Sequence, residues 1–212
     1  MMSSASVTEA RQKRKRTEPD RGLRWTIAVM SIGVAGYAIV RFLFIPPTSG
    51  HFSEHLLLLQ VHAAGGAIAL LTGPWQFWGR FRARRPELHR WLGRVYLVAV
   101  GVASVAGFGL AFFSEEGWPT HVGFGLLAAI WFATGWMAYW RARQYRFALH
   151  REWAMRSFSL AFAAVTLRNE LPLLMVAGRL SFHAAYITVA WLCWIPNLLV
   201  VEWWLRRHAR RA

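Results

Sequence analysis

Six largely apolar stretches, separated by short polar segments, dominate the sequence. They cover about residues 23–45, 57–78, 91–113, 121–140, 153–176 and 184–205. Each is about 20 residues long, the length an α-helix needs to cross a hydrocarbon core of about 30 Å. The pattern predicts an all-α, multi-pass integral membrane bundle of six transmembrane helices that occupies residues 23–205. The polar first 22 residues lack the apolar stretch of a cleavable signal peptide, so we expect the first span to be retained.

The segments outside the spans are polar, basic or short. Residues 1–22 have no apolar periodicity and are expected to form a disordered basic cytoplasmic tail, and residues 206–212 a second basic cytoplasmic tail. The connections between spans are short, which makes consecutive helices antiparallel neighbours. The spans are therefore expected to form one membrane domain.

The distribution of charge predicts the orientation of the bundle. Of the 25 lysines and arginines, 22 fall at residues 11–24, 80–94, 141–156 and 206–211, which are alternate connections and both ends of the chain. The other connections carry Glu54, Glu115 and Glu116. By the positive-inside rule both termini are cytoplasmic. Nucleic-acid binding is not expected, because these connections are too short to build the contiguous basic face that it needs.

Four histidines lie near the starts of the second to fifth spans: His62, His89, His121 and His150. With the predicted orientation, His62 and His121 lie near the outer face, and His89 and His150 lie near the inner face. Six-coordinate b-type haem iron can be held by one imidazole from each side. The layout therefore predicts an outer haem at His62/His121 and an inner haem at His89/His150, with spans 2–5 as a four-helix haem-binding core.

Each of these histidines heads a helix face of mainly small residues. The faces are Gly66, Ala69, Gly73 and Gln76; Gly93, Tyr96, Val100, Ala103 and Gly107; Gly125, Ala128, Phe132, Gly135 and Tyr139; and Ala154, Ser157, Ala161, Ala164 and Arg168. Small faces either let membrane helices pack closely without a cofactor or leave room for a flat macrocycle. Histidines at the head of all four faces favour the macrocycle, because ionisable residues inside a membrane usually mark function.

Arginines supply candidate partners for the haem propionates. Arg168 follows His150 by 18 residues on the same face, about 27 Å along the helix, at the expected depth of the outer haem. A propionate would neutralise it; a salt bridge to Glu54 or Glu170 is the alternative, although Glu170 lies on nearly the opposite face. Arg94 and Arg156 are candidates for the inner propionates, although arginines at that end are also expected from topology alone.

Other residues have weaker roles in this interpretation. Tyr96, Phe132 and Tyr139 are expected to line the gap between the two rings. His51, His55 and His183 could form an outer metal or substrate site, or simply be solvated. The spans read as continuous, with Pro74, Pro172 and Pro196 nearer their ends than their centres, whereas transporters usually have broken helices with polar centres.

Residues from about His62 to Leu171 resemble a widespread bacterial family of predicted membrane proteins of unknown function. The matching stretches are HAAGGAIALLTGPWQF, RPELHRWLGRVYL and LHREWAMRSFSLAFAAVTLR. The fold of that family is similar in outline to cytochrome b561, the six-helix ascorbate-dependent ferric reductases, whose helices 2 and 4, and 3 and 5, supply histidine pairs to two haems b. His62, His121, His89 and His150 fall on corresponding helices. The resemblance implies electron transfer across a membrane, here the bacterial inner (plasma) membrane.

The leading hypothesis is therefore a di-haem b-type membrane cytochrome, a possible transmembrane oxidoreductase with two haems b or a single one. The electron donor is left open between a quinol, an ascorbate-like reductant and a flavoprotein, and the acceptor is unassigned. Membrane lipid is an expected partner, and a homodimer is one possible assembly. The alternatives are a haem-free helical protein that stabilises a membrane complex, and a small-molecule or metal transporter.

Overall fold

The structure is a computed structural model that describes residues 21–48 and 51–209. In this part of the chain six helical spans are long and apolar enough to cross a membrane, and there are no strands. We number them span 1 (Arg21–Phe44), span 2 (Leu56–Gln76), span 3 (Pro86–Ala111), span 4 (Trp118–Arg143), span 5 (Phe147–Val176) and span 6 (Phe182–Ala209). Short helices at His51–Glu54 and Gly79–Arg84 connect spans 1 to 3. The prediction of an all-helical protein with six spans is confirmed.

The spans extend beyond the apolar stretches that predict them. Span 3 begins at Pro86, whose fixed φ and missing N–H suit the first position of a helix. Span 5 begins at Phe147. His89 and His150 consequently lie inside the first turns of their helices. Span 1 begins at Arg21 and span 6 continues to Ala209, so residues 21–22 and 206–209 of the predicted tails 1–22 and 206–212 are helical. The rest of those tails, 1–20 and 210–212, lies outside the described residues.

Spans 5 and 6 are irregular near their middles. Span 5 consists of the helices Phe147–Ala161 and Ala163–Val176, and span 6 of Phe182–Leu192 and Ile195–Ala209. Pro196 has no N–H for the helical ladder, and the carbonyl of Cys193 accepts hydrogen bonds from Asn197 Nδ2 at 2.9 Å and Thr166 Oγ1 at 2.6 Å.

The prediction that all spans have continuous, apolar middles is therefore wrong for spans 5 and 6. Pro196 lies near the centre of span 6, Phe182–Ala209, and not near its end. The side chains of Thr166 and Asn197 satisfy the backbone where the ladder is interrupted, which is how membrane helices accommodate proline. The continuity of the spans no longer counts against a transporter.

Spans 2, 3, 4 and 5 pack in chain order, each against the next, and span 5 also contacts span 2. Span 1 packs mainly on span 2, and span 6 packs on spans 4 and 5. Spans 2 and 4 share no substantial contact among the described residues, and neither do spans 3 and 5. Spans 2–5 thus form a four-helix core in which 2 and 4, and 3 and 5, lie on the diagonals.

On span 3 small residues line much of the inside of this core, and several bulkier residues face outward. On span 3, Val100 and Ala103 are buried, whereas Val98, Val102 and Val105 are 67%, 48% and 65% exposed. In water such a face would be unfavourable, but hydrocarbon solvates it as well as a protein core would. Spans 2 and 3 approach closely where a Cβ on Gly65 would lie 2.9 Å from both Ala103 Cβ and the carbonyl oxygen of Ala99.

Gly65→Ala should destabilise the bundle by about 1–3 kcal/mol, because the added methyl would force spans 2 and 3 apart. The neighbouring Gly66→Ala is the matched control, since a Cβ there meets nothing within 4 Å, and it should be neutral or slightly stabilising. The free energy of unfolding in mixed detergent micelles measures both. Equal stability of the two variants would contradict this packing.

Candidate functional site

His62 lies two turns inside span 2 and is oriented by span 3. Its Nδ1 is 2.9 Å from the carbonyl oxygen of Ala103. Its ring covers Gly107, where a Cβ would lie 2.7 Å from Nδ1. Because a carbonyl can only accept, Nδ1 must carry the proton and donate it, which leaves the lone pair on Nε2. Nε2 makes no hydrogen bond to the described part of the chain.

His150 has the same arrangement at the other end of the core. Its Nδ1 donates to the carbonyl of Ala138 on span 4 at 2.8 Å. Its Nε2 therefore also carries a lone pair. In metal sites a ligating histidine typically donates its other ring N–H to a carbonyl or carboxylate, which fixes the tautomer and the ring orientation. His62 and His150 both have this hydrogen bond from Nδ1 to a carbonyl.

His89 lies at the same end of the core as His150. We call this end the basic end; it carries the connections 77–85 and 144–146. His89 Nδ1 is buried and has no hydrogen-bond partner among the described residues. The imidazoles of His89 and His150 are close enough to interact electrostatically, and Arg82 and Arg90 also act on His89. The structure thus brings the two histidines of the predicted inner pair into one neighbourhood.

His121 is placed differently from the other three. Its Nε2 lies 2.7 Å from the carbonyl oxygen of Ser114, in the loop that precedes span 4. Thr120 also bonds Ser114, from Oγ1 to Oγ at 2.8 Å, and closes the same loop. Nε2 of His121 is therefore the protonated donor of a loop hydrogen bond and the lone pair lies on Nδ1, and no contact joins His121 to His62 in the described structure.

Arg168 lies in the half of the bundle opposite the basic end, as predicted from its spacing. Its Nη1 donates to the carbonyl of Ala164 at 2.8 Å, and its guanidinium lies 5.4 Å from the ring centre of Tyr37 on span 1. It is close enough to His62 to interact electrostatically. Within the described residues, Arg168 Nε and Glu170 Oε2 are both buried without hydrogen-bond partners, and the two residues form no ion pair with each other. A cation with unused donors beside His62 is what the propionate prediction requires.

Arg156 is already neutralised by carboxylates. Its guanidinium pairs with Glu202 on span 6 through two hydrogen bonds, one of them Nη2 to Oε2 at 3.2 Å, and lies 3.7 Å from Glu152. It also stacks over Trp153, 4.7 Å from the ring centre. Arg94 is exposed. Sequence reasoning missed the Arg156–Glu202 pair; the signal was an acidic residue in span 6 at the depth of an arginine in span 5.

The aromatic residues predicted to line one internal gap do not share one location. Tyr96 is buried, and its hydroxyl bonds Ser157 Oγ at 2.9 Å across the diagonal between spans 3 and 5. Phe132 and Tyr139 are 46% and 38% exposed, so they face outward. The prediction is wrong for these two, because the buried face of span 4 runs through Ala128, Trp131, Gly135 and Ala138, and Phe132 and Tyr139 lie beside it.

The remaining histidines do not gather into a metal site in the described residues. No group of three or more potential metal ligands occurs there. His55 stacks on Phe113 with ring centres 3.6 Å apart, and His183 pairs with Glu116. His208 bonds the carbonyl of Trp204 at 2.7 Å. The side chain of His51 lies outside the described residues, so the predicted outer site stays a prediction.

Glu202→Gln should lower stability by about 1–3 kcal/mol, because it weakens charge-assisted hydrogen bonds at an arginine that is only 16% exposed. Glu152→Gln is the matched control: that carboxylate is 39% exposed and 3.7 Å away, and its loss should cost only a few tenths of a kcal/mol. Chemical unfolding in detergent compares the two. A Glu152 effect equal to or larger than that of Glu202 would argue against the pair.

Comparison with known proteins identifies the family. A family model described as "Predicted membrane protein (DUF2306)" matches residues 59–205. Neither the curated proteins nor the solved structures contain a match. The matched region covers spans 2–5 and most of span 6, including all four histidines that head the small faces. The chain is a multi-pass integral membrane protein that belongs to the DUF2306 family of predicted membrane proteins.

Proposed function

We propose that this protein is a b-type membrane cytochrome that transfers electrons across the bilayer, from a cytoplasmic or membrane donor to an acceptor at the outer face. The observation that carries the proposal is the shared arrangement of His62 and His150. Each donates from Nδ1 to a carbonyl of the next span, Ala103 or Ala138, and keeps the Nε2 lone pair for a metal. Purely structural histidines would not need the same atom free at both ends of the core.

The four histidines fit haem iron to different degrees. His150 fits with Nε2, and His89 lies nearby with a buried ring nitrogen, Nδ1, that lacks a hydrogen-bond partner among the described residues. Buried polar groups rarely lack such a partner, so this nitrogen supports a role of His89 as a ligand. His62 fits with Nε2, and Arg168 beside it could neutralise a propionate. His121 fits less well as placed, because its Nε2 donates to the Ser114 carbonyl and the ring offers only the Nδ1 lone pair.

Bound haem would supply reversible one-electron transfer within the apolar bundle. The contribution of the protein is to hold and orient the ligands: the carbonyls of Ala103 and Ala138 fix the rings, and small residues at Gly107 and Ala103 give them room. The apolar exterior excludes water and raises the effective strength of the Arg168 charge toward an anionic propionate. Potentials would follow from these contacts and from burial.

The test is the visible difference spectrum of detergent-purified protein, dithionite-reduced minus air-oxidised, with haem quantified per chain. We expect the sharp bands of six-coordinate b haem, and loss of about one haem per chain in each of His62→Ala and His150→Ala. His55→Ala and His208→Ala are matched controls outside the core and should keep the wild-type content. Full haem content in both core variants would overturn the ligand assignment.

A second candidate function is a haem-free helical protein that stabilises a membrane complex. Direct contacts at the glycines of the small faces favour it. A Cβ on Gly73 would collide with the ring of Phe158, and one on Gly135 would lie 3.0 Å from Val100 Cγ1. Small residues used in this way serve helix packing with no cofactor. A flat spectrum from folded protein, expressed with ample haem, would favour this function over the cytochrome.

A further inference from the structure

A cavity of about 470 Å³ lies at the basic end, between span 1 and spans 2, 5 and 6. We call it the basic-end cavity. Its walls are mainly apolar and aromatic, with residues such as Trp75, Phe77, Trp78, Phe158 and Phe162. None of the four core histidines lines it. Its volume falls in the range of about 300–1,000 Å³ typical of small-ligand sites.

Arginines from three elements line the same cavity: Arg24 of span 1, Arg82 of the short helix Gly79–Arg84, and Arg151 of span 5. No acidic residue is among its described lining residues. All three lie at the basic end, and Arg151 also stacks on Trp204, 5.7 Å from the ring centre. The cavity therefore has positive charge at one end and an aromatic body.

The deep end of the cavity offers little to a polar ligand. From Arg151 the lining follows span 5 through Met155 and Phe158 to Phe162, about 16 Å along the helix. Asn197 and Ser159 also line it, but three acceptors already lie within hydrogen-bond distance of the two N–H groups on Asn197 Nδ2, and Ser159 Oγ donates to the carbonyl of Arg156 at 2.8 Å. A ligand is thus oriented with its anionic group at the arginines and its apolar part inward.

The cavity is open to the surroundings of the bundle. Spans 1 and 6 share no substantial contact among the described residues, and the cavity lies between them. Val200, which lines it, is 62% exposed. In a membrane this opening faces lipid, so an acyl chain can extend from the cavity into the bilayer. A small soluble anion would contact the arginines but not the aromatic walls.

We propose that the basic-end cavity binds one anionic phospholipid, with the phosphate at Arg24, Arg82 and Arg151 and part of an acyl chain against the aromatic walls. The three arginines favour anionic over zwitterionic lipids, because each basic side chain near an anionic headgroup adds to the binding affinity. None of the four core histidines lines the cavity, so lipid binding there does not require bound haem.

Native mass spectrometry of the full chain in detergent tests the proposal, with phosphatidylglycerol and phosphatidylcholine of identical acyl chains as probes. We expect one tightly retained phosphatidylglycerol and weaker retention of phosphatidylcholine. The variant Arg24→Gln/Arg82→Gln/Arg151→Gln should lose affinity for phosphatidylglycerol by about fivefold per arginine. Arg21→Gln/Arg84→Gln/Arg143→Gln changes the same net charge at exposed positions outside the cavity and should retain the lipid.

A second pair of variants tests the apolar part of the site. Ala28→Phe extends a ring from a buried lining position into the cavity and should reduce lipid retention. Val29→Phe, at the adjacent position that is 64% exposed, should not. Equal retention of phosphatidylglycerol by the arginine variant and its control would overturn the proposal. Displacement of the lipid by inorganic phosphate would also overturn it, in favour of a soluble anion.

Discussion

The close approach of span 2 to span 3 is the contact on which the candidate site depends. It follows one face of span 3, at Ala99, Ala103 and Gly107, four residues apart. Gly65 touches the first two, and the ring of His62 bonds the second and covers the third. A larger side chain at any of these positions would move the ring away from the carbonyl that fixes its tautomer. The packing of spans 2 and 3 and the orientation of the His62 ring therefore depend on the same small residues.

In hydrocarbon every polar group must find its partner within the protein, and this requirement explains most of the polar contacts inside the bundle. Asn197 and Thr166 restore hydrogen bonding around Pro196, and Glu202 neutralises Arg156. Several buried side-chain atoms nevertheless lack a hydrogen-bond partner within the described residues, among them Ser31 Oγ, Gln76 Nε2, His89 Nδ1, Arg168 Nε and Glu170 Oε2. His89 and Arg168 are the two of these residues that the sequence singles out for haem binding.

The six spans and their small inner faces could be predicted because length, hydropathy and helical periodicity are local properties of the sequence. The ends of the helices could not, since Pro86 and polar residues continue span 3 beyond its apolar stretch. Phe132 and Tyr139 face outward because the rotation of span 4 depends on its neighbours, which periodicity alone does not specify. The irregular middle of span 6 was missed because Pro196 was assigned to the end of the span, although it lies close to the midpoint of the apolar stretch 184–205.

The sequence also could not predict which ring nitrogen of each histidine forms a hydrogen bond. Four histidines at similar positions look equivalent in a pattern, yet His62 and His150 bond through Nδ1, whereas His121 bonds through Nε2. The difference arises from which carbonyl each ring can reach: a neighbouring span for the first two and the preceding loop for His121. The carbonyl that a ring reaches depends on how far adjacent helices are shifted along the bundle axis, and the sequence of one helix does not determine that shift.

The carbonyls at Ala103 and Ala138 have one more consequence. A proton can hop along a chain of imidazoles only if each ring alternately accepts at one nitrogen and releases from the other. At His62 and His150 the Nδ1 proton is held by a group that cannot return one. These rings therefore cannot act as steps in a proton wire. A bundle with such histidines at both ends can hold polar groups in the bilayer without conducting protons through these rings.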